Sequence, residues 1–164
     1  VRLLHGEHIP TLREVLTTLV YNTPLTFIWL DTKLHGSLQQ LRDMQKEFLL
    51  KAAAIGRKVD ISIGIPDRTV LDNFQALSGY QNIPSVCELT PDETRSVNSH
   101  IWGPRWTLGT QNEEVAKMHA EGRKAFVWTL DVPGNISTFL TEGHFDGILS
   151  NYPSAVAFYY YAKK

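Results

Sequence analysis

The 164-residue chain sets an acid and a base two residues apart at the end of an apolar run, Phe27-Ile28-Trp29-Leu30-Asp31-Thr32-Lys33. Side chains alternate along a strand, so Asp31 and Lys33 share a face with Phe27 and Trp29, and Ile28, Leu30 and Thr32 share the other. An ammonium at a strand end can neutralise a phosphate oxygen, and a carboxylate beside it can hold a hard divalent cation bound to the same phosphate. A salt-bridged pair at a sheet rim would show the same spacing, and these residues alone leave both readings open.

Further candidates are scattered. His5 and His8 have H-x-x-H spacing, but no third ligand follows in sequence, and a solvated terminal segment explains them as well. His35 lies close enough to Lys33 to reach the same rim. His100 stands near Trp102 and Trp106, as a pocket lip or a packed side chain, and His119 and His144 read as surface residues near helix ends. Glu88 ends an apolar segment and either faces the site or caps the following turn. Cys87 is the only cysteine, so there is no disulfide framework and no cysteine-based zinc site. Nothing near it argues for a lowered thiol pKa, and a nucleophilic role is not expected. Trp128 taken alone is an ordinary core aromatic, and the Tyr159, Tyr160 and Tyr161 run reads as the end of a closing helix.

The elements that must position these groups alternate between helical and strand periodicity, the pattern of an α/β fold on a parallel sheet. Thr11 and Glu14 form a T-x-x-E helix start, followed by a strand over 25–33 and a long amphipathic helix over 37–55 stopped by Gly56. Strands are expected over 59–66, 83–89 and 124–130, helices over 67–77 and 134–142, and a final short strand and helix over 145–162. Residues 91–98 form at most a short helix, and the segment around Gly103 and Pro104 is ambiguous. A second T-x-x-E pattern, Thr110 to Glu113, opens a helix ending near Gly122. Five or six such units are too few for a closed barrel of eight, which takes about 250 residues, yet would complete an open doubly wound sheet.

The chain is 43% hydrophobic and 20% charged with a net charge of -1, the balance of one globular domain spanning 1–164. Charges of both signs are interspersed, so nucleic acid and acidic surfaces are not expected partners. No apolar run approaches the roughly 18 residues of a transmembrane helix. Nucleotide-binding glycine motifs and a G-x-S-x-G elbow are absent. The chain opens at Val1 and is expected to be a piece of a longer one.

Four segments in order, "HIPTLREVL", "FIWLDTK", "FVWTLD" and "FDGILSNYP", together resemble the glycerophosphodiester phosphodiesterase family. That family carries an I-P-T-L-x-E-V-L helix start, an E-x-K strand end, a W-T-V strand and a final D-G-I-x-T-D-x-P. The resemblance covers nearly the whole chain and implies a (β/α)8 TIM-type barrel, here incomplete and lacking roughly its first two strands. It implies hydrolysis of glycerophosphodiesters to glycerol 3-phosphate and an alcohol, in lipid metabolism, with a divalent metal, Ca2+ or Mg2+, and two histidines as acid and base. On the motifs, Asp31 falls on a glutamate that ligates metal, Lys33 on a phosphate-binding lysine, and Trp128 on a tryptophan lining the substrate pocket. Ser150 and Asn151 stand where Thr and Asp are usual, and Asp31 is one methylene shorter than the family's glutamate.

The family's H-R-G, E-N-T, E-x-D and H-D signature, which carries both histidines, does not occur in this chain, so no catalytic residue is carried over. The implied partner is a small phosphodiester. An incomplete barrel has two open edges, so the piece alone is expected to be marginal or to self-associate unless another segment completes it. The alternative is a noncatalytic barrel relative that binds a phosphorylated ligand or acts as an interaction domain.

Overall fold

The computed structural model describes Gly6 and residues 8–33 and 35–162. His5 therefore lies outside the described residues. Six parallel strands pair in sequence order: β1 (Phe27–Leu30), β2 (Asp60–Ile65), β3 (Ser85–Cys87), β4 (Ile101–Trp102), β5 (Lys124–Val127) and β6 (Gly147–Ile148). A helix precedes β1, α1 (Leu12–Asn22), and one follows each strand: α2 (Gln39–Ala54), α3 (Arg68–Gln75), α4 (Pro91–Ser96), α5 (Asn112–Ala120), α6 (Pro133–Thr141) and α7 (Pro153–Ala162). Unbroken strand-helix alternation with neighbour-to-neighbour pairing is barrel topology, and the six strands form a half-barrel. An open doubly wound sheet would reverse its strand order at one point, and this one does not.

The sheet is curled. Phe27 on β1 and Phe126 on β5 meet edge to face across its concave side, ring centroids 5.1 Å apart, although three strands lie between them. The opposite face carries the helix-packed core: Ile28, Leu30, Ile61, Ile63, Ile65 and Cys87 pack with α1 to α3, and Trp102, Ala125 and Val127 pack with α5 and α6. Fully burying each such aliphatic side chain contributes about 1.5–3 kcal/mol, and this layer dominates the stability. Burial pushes the Cys87 thiol up, in line with a packing role.

Two helix starts form reciprocal capping boxes. Thr11 with Glu14 is the expected one, and Thr90 with Glu93 opens α4 in the same way. The box expected at Thr110 does not form: α5 starts at Asn112 behind a left-handed Gln111, φ 49°, with no side-chain cap. The chain enters α5 from a 3-10 turn at Trp106–Leu108 and Gly109, and Gln111 lacks the extended backbone an N-cap needs. Gly56 ends α2 with φ +73°, as expected.

Arg57, just beyond, donates to the carbonyls of Leu19, Val20 and Leu25, joining the end of α1 to the entrance of β1. β1 is shorter than the sequence pattern implied: its ladder with β2 ends at Leu30 opposite Ile63, and Asp31 and Lys33 stand beyond it.

Among the described strands each outer one has one unpaired edge, and a cleft lies beside each. One of about 520 Å3 runs along β1 between Leu12, Val15 and Leu19 of α1 and Ile28 and Leu30. Another of about 300 Å3 lies between β6 and α7, where Tyr160 and Tyr161 are exposed. No helix among the described residues is long and apolar enough to cross a membrane.

Candidate functional site

In a parallel barrel the loops after the strands form the working face. Asp31 and Lys33 follow β1, Asp67 follows β2, Glu88 follows β3, Arg105 follows β4 and Trp128 follows β5. Beneath them the indole of Trp29 crosses the concave side. A Cβ on Gly64 would lie 2.6 Å from Trp29 Nε1, and one on Gly103 3.2 Å from its Cη2. Only glycine at these two positions leaves room for the ring, which floors the site. Trp29 Nε1 is buried and has no hydrogen-bond partner among the described residues.

Lys33 Nζ donates to Asp31 Oδ1 at 2.7 Å, with both side chains exposed. That bond is the main cause raising the lysine pKa. The rim salt bridge foreseen as the plain alternative is thus formed, and as an exposed pair it is worth about 0–1 kcal/mol.

Glu88 is the group whose importance the sequence left undecided. It does not cap the next turn, since Thr90 and Glu93 do that. Its Oε1 is buried without a partner. Burial, reinforced by the charge of Asp31 and opposed by Lys33 and Arg105, pushes its carboxyl up to about 7. A cleft of about 430 Å3 opens beside it, lined by Arg68, Leu89, Trp102, Arg105 and Leu108.

Trp128 donates its Nε1 hydrogen to Gly103 O at 2.7 Å, and the Arg105 guanidinium lies 4.8 Å from the centre of its ring. The loops after β5 and β6 are tied together by Asp131. It accepts from Asn151 Nδ2 and the Asn151 backbone N–H, both at 2.8 Å, and from Ser150 Oγ at 3.1 Å. The Asn151 bonds hold its carboxyl below the usual range. The two residues that departed from the sequence motif are thus a loop latch.

Among the described histidines only His35 bonds a residue already placed on this face. His35 bonds Asp67 at 3.2 Å, His8 bonds Glu14 at 3.3 Å, and His119 bonds Asp146 at 2.9 Å. His100 is at the opposite end of the strands. The backbone N–H of Ser85 donates to its Nδ1, so Nε2 carries the ring proton and meets Asp60 Oδ2 at 2.8 Å. Ser62 Oγ donates to Asp60 Oδ1 at 2.8 Å. Serine and aspartate both sit on one ring nitrogen here, which is not the relay of a Ser-His-Asp triad. Burial works against charge on Asp60, but the bonds and charges of His100, with Ser62 and Lys124, more than offset it and hold its pKa down.

A divalent cation fits this donor set poorly. Asp31 offers one carboxylate, already bonded to Lys33, and Glu88 a second, while Asp67 is taken up capping α3 and bonding His35. No group of three or more His, Cys, Asp or Glu able to hold a metal occurs among the described residues, where Ca2+ needs six to eight oxygens.

No family model matches the sequence, and no protein of curated function matches it significantly. Solved structures do match. A glycerophosphodiester phosphodiesterase from Parabacteroides distasonis superposes with a TM-score of 0.70 at 17% identity, over 100% of this chain and 69% of that one. A Silicibacter pomeroyi protein assigned as a glycerophosphoryl diester phosphodiesterase gives 0.66 at 20% identity, over 96% and 58%. An Oleispira antarctica phosphodiesterase, solved with the product sn-glycerol-3-phosphate, gives 0.62 at 13% identity, over 93% and 61%. The chain thus has the fold of these phosphodiesterases over 58 to 69% of their length.

Proposed function

We propose that this chain is the carboxyl-terminal part of a phosphodiesterase domain that hydrolyses glycerophosphodiesters to glycerol 3-phosphate and an alcohol. Lys33 binds the phosphate and Trp128 walls the substrate pocket. The observation that carries the reading is the Asp31–Lys33 pair at the C-terminal end of β1, in a fold shared with phosphodiesterases. Lys33 stabilises charge on the phosphoryl oxygens as the diester is attacked, and Asp31 holds the ammonium in place until substrate arrives. Asp31 as a Ca2+ or Mg2+ ligand belongs to the same proposal, with the missing ligands supplied from outside the described residues. The two unpaired strand edges and their clefts support the corollary that the chain alone self-associates or is completed by another segment.

The absence of a three-carboxylate cluster among the described residues favours a second reading, a noncatalytic domain that binds a phosphorylated ligand. Release of glycerol 3-phosphate from glycerophosphocholine by the intact protein separates the two. Turnover that falls about a hundredfold or more in Lys33→Ala supports the enzyme. Binding of glycerol 3-phosphate without turnover supports the binding domain, and wild-type turnover in Lys33→Ala removes Lys33 from the site.

A further inference from the structure

Six arginines among the described residues, Arg13, Arg42, Arg57, Arg68, Arg95 and Arg123, each donate at least one hydrogen bond to a carboxylate, amide or carbonyl. Arg105 donates none and is exposed at the mouth of the half-barrel. It is nevertheless held. Its backbone bridges in parallel to Trp128, its guanidinium stacks on that indole, and the indole is pinned to Gly103 O. A guanidinium fixed by stacking keeps all five N–H donors for something else.

Glu88 stands within electrostatic reach of Arg105 and of Lys33, yet bonds neither: Lys33 is on Asp31 and Arg105 is on Trp128. Arg105 and Glu88, whose buried carboxyl oxygen has no partner among the described residues, therefore line one cleft, and Lys33 acts on Glu88 from the end of β1. Cations call for a phosphoryl group, and an acceptor without a donor calls for a hydroxyl.

We propose that Arg105 is a second cation of the phosphate subsite beside Lys33, and that Glu88 accepts a hydroxyl of the same ligand, so that the mouth selects a hydroxyl-bearing phosphate ester over inorganic phosphate. This rests on the phosphate-binding reading of Lys33 and adds two residues to it. Phosphate held between an ammonium and a planar fork is fixed in orientation, which one exposed lysine cannot do. The hydroxyl on Glu88 then sets which end of the ligand lies over the Trp29 floor.

The test is titration of the intact protein with glycerol 3-phosphate and, separately, with inorganic phosphate, followed by calorimetry, with thermal midpoints recorded for every variant. Arg105→Ala should weaken both ligands about tenfold at an unchanged midpoint, and Arg105→Lys should restore part of that loss. Glu88→Ala should weaken glycerol 3-phosphate about tenfold and inorganic phosphate hardly at all. If Lys33→Ala loses affinity while both Arg105 variants bind as the wild type does, this inference falls and the proposed function stands. If wild-type protein binds neither ligand, both fall. A Glu88→Ala protein with unaltered preference between the two ligands overturns the hydroxyl assignment.

Discussion

At the N-terminal ends of the strands Asp60, Ser62 and His100 close on one another, and Ser85 supplies the remaining donor through its backbone. At the C-terminal ends stand Asp31, Lys33, Glu88 and Arg105, yet Glu88 Oε1 and the Arg105 guanidinium have no hydrogen-bond partner among the described residues. A polar cluster whose bonds are all made internally stabilises the fold, and one with capacity left over is built to receive something. The difference lies in which bonds are already made, since both ends set carboxylates beside nitrogen donors.

Stability and binding should therefore separate by end. The largest stability change is expected from Asp60→Ala, which removes two short bonds and leaves His100 Nε2 and Ser62 Oγ only their longer bond to each other. It should cost about 2 kcal/mol in urea unfolding and leave glycerol 3-phosphate affinity untouched, and a loss of affinity would break the comparison. Next comes Glu88→Gln. The folded-state carboxyl titrates near 7 against an unfolded value of 4.5, so the folded state keeps a proton the unfolded state has lost between those values.

Wild-type stability should then fall relative to Glu88→Gln as pH rises from about 4.5 through 7, and level off above. Glu88 is partly exposed, and solvent screening reduces the difference at pH 8 to about 1–2 kcal/mol. Equal stabilities at pH 4 and pH 8 would contradict the burial argument. Smallest is Lys33→Ala, whose exposed pair with Asp31 should change the unfolding free energy by less than about 0.5 kcal/mol, however large its effect on ligand.

Much of the scaffold could be read from local pattern, because β1, β2 and β5 are runs of β-branched and aromatic residues and the Thr11 box is a contiguous word. β4 could not, being the two residues Ile101 and Trp102 ahead of a Gly-Pro break. It exists as a strand only because β3 and β5 pair with it on either side. The same limit hid Arg105. No motif surrounds it, and its relation to Trp128 depends on the register between β4 and β5. The partial signal was a cation just beyond an apolar strand end, as Lys33 is beyond β1. Thr90 and Thr110 both offer T-x-x-E words, and the preceding backbone decided which one became a cap.

Arg57 has a mechanical consequence. With its guanidinium on the carbonyls of Leu19, Val20 and Leu25, it clamps three acceptors from two elements with one side chain anchored beyond a third. α1 packs at the outer margin of the half-barrel, against few neighbouring elements, where a helix opens readily by itself. Fastened in this way, its last turn and the approach to β1 open as one cooperative unit with the end of α2, so β1 is held at the end opposite Asp31 and Lys33.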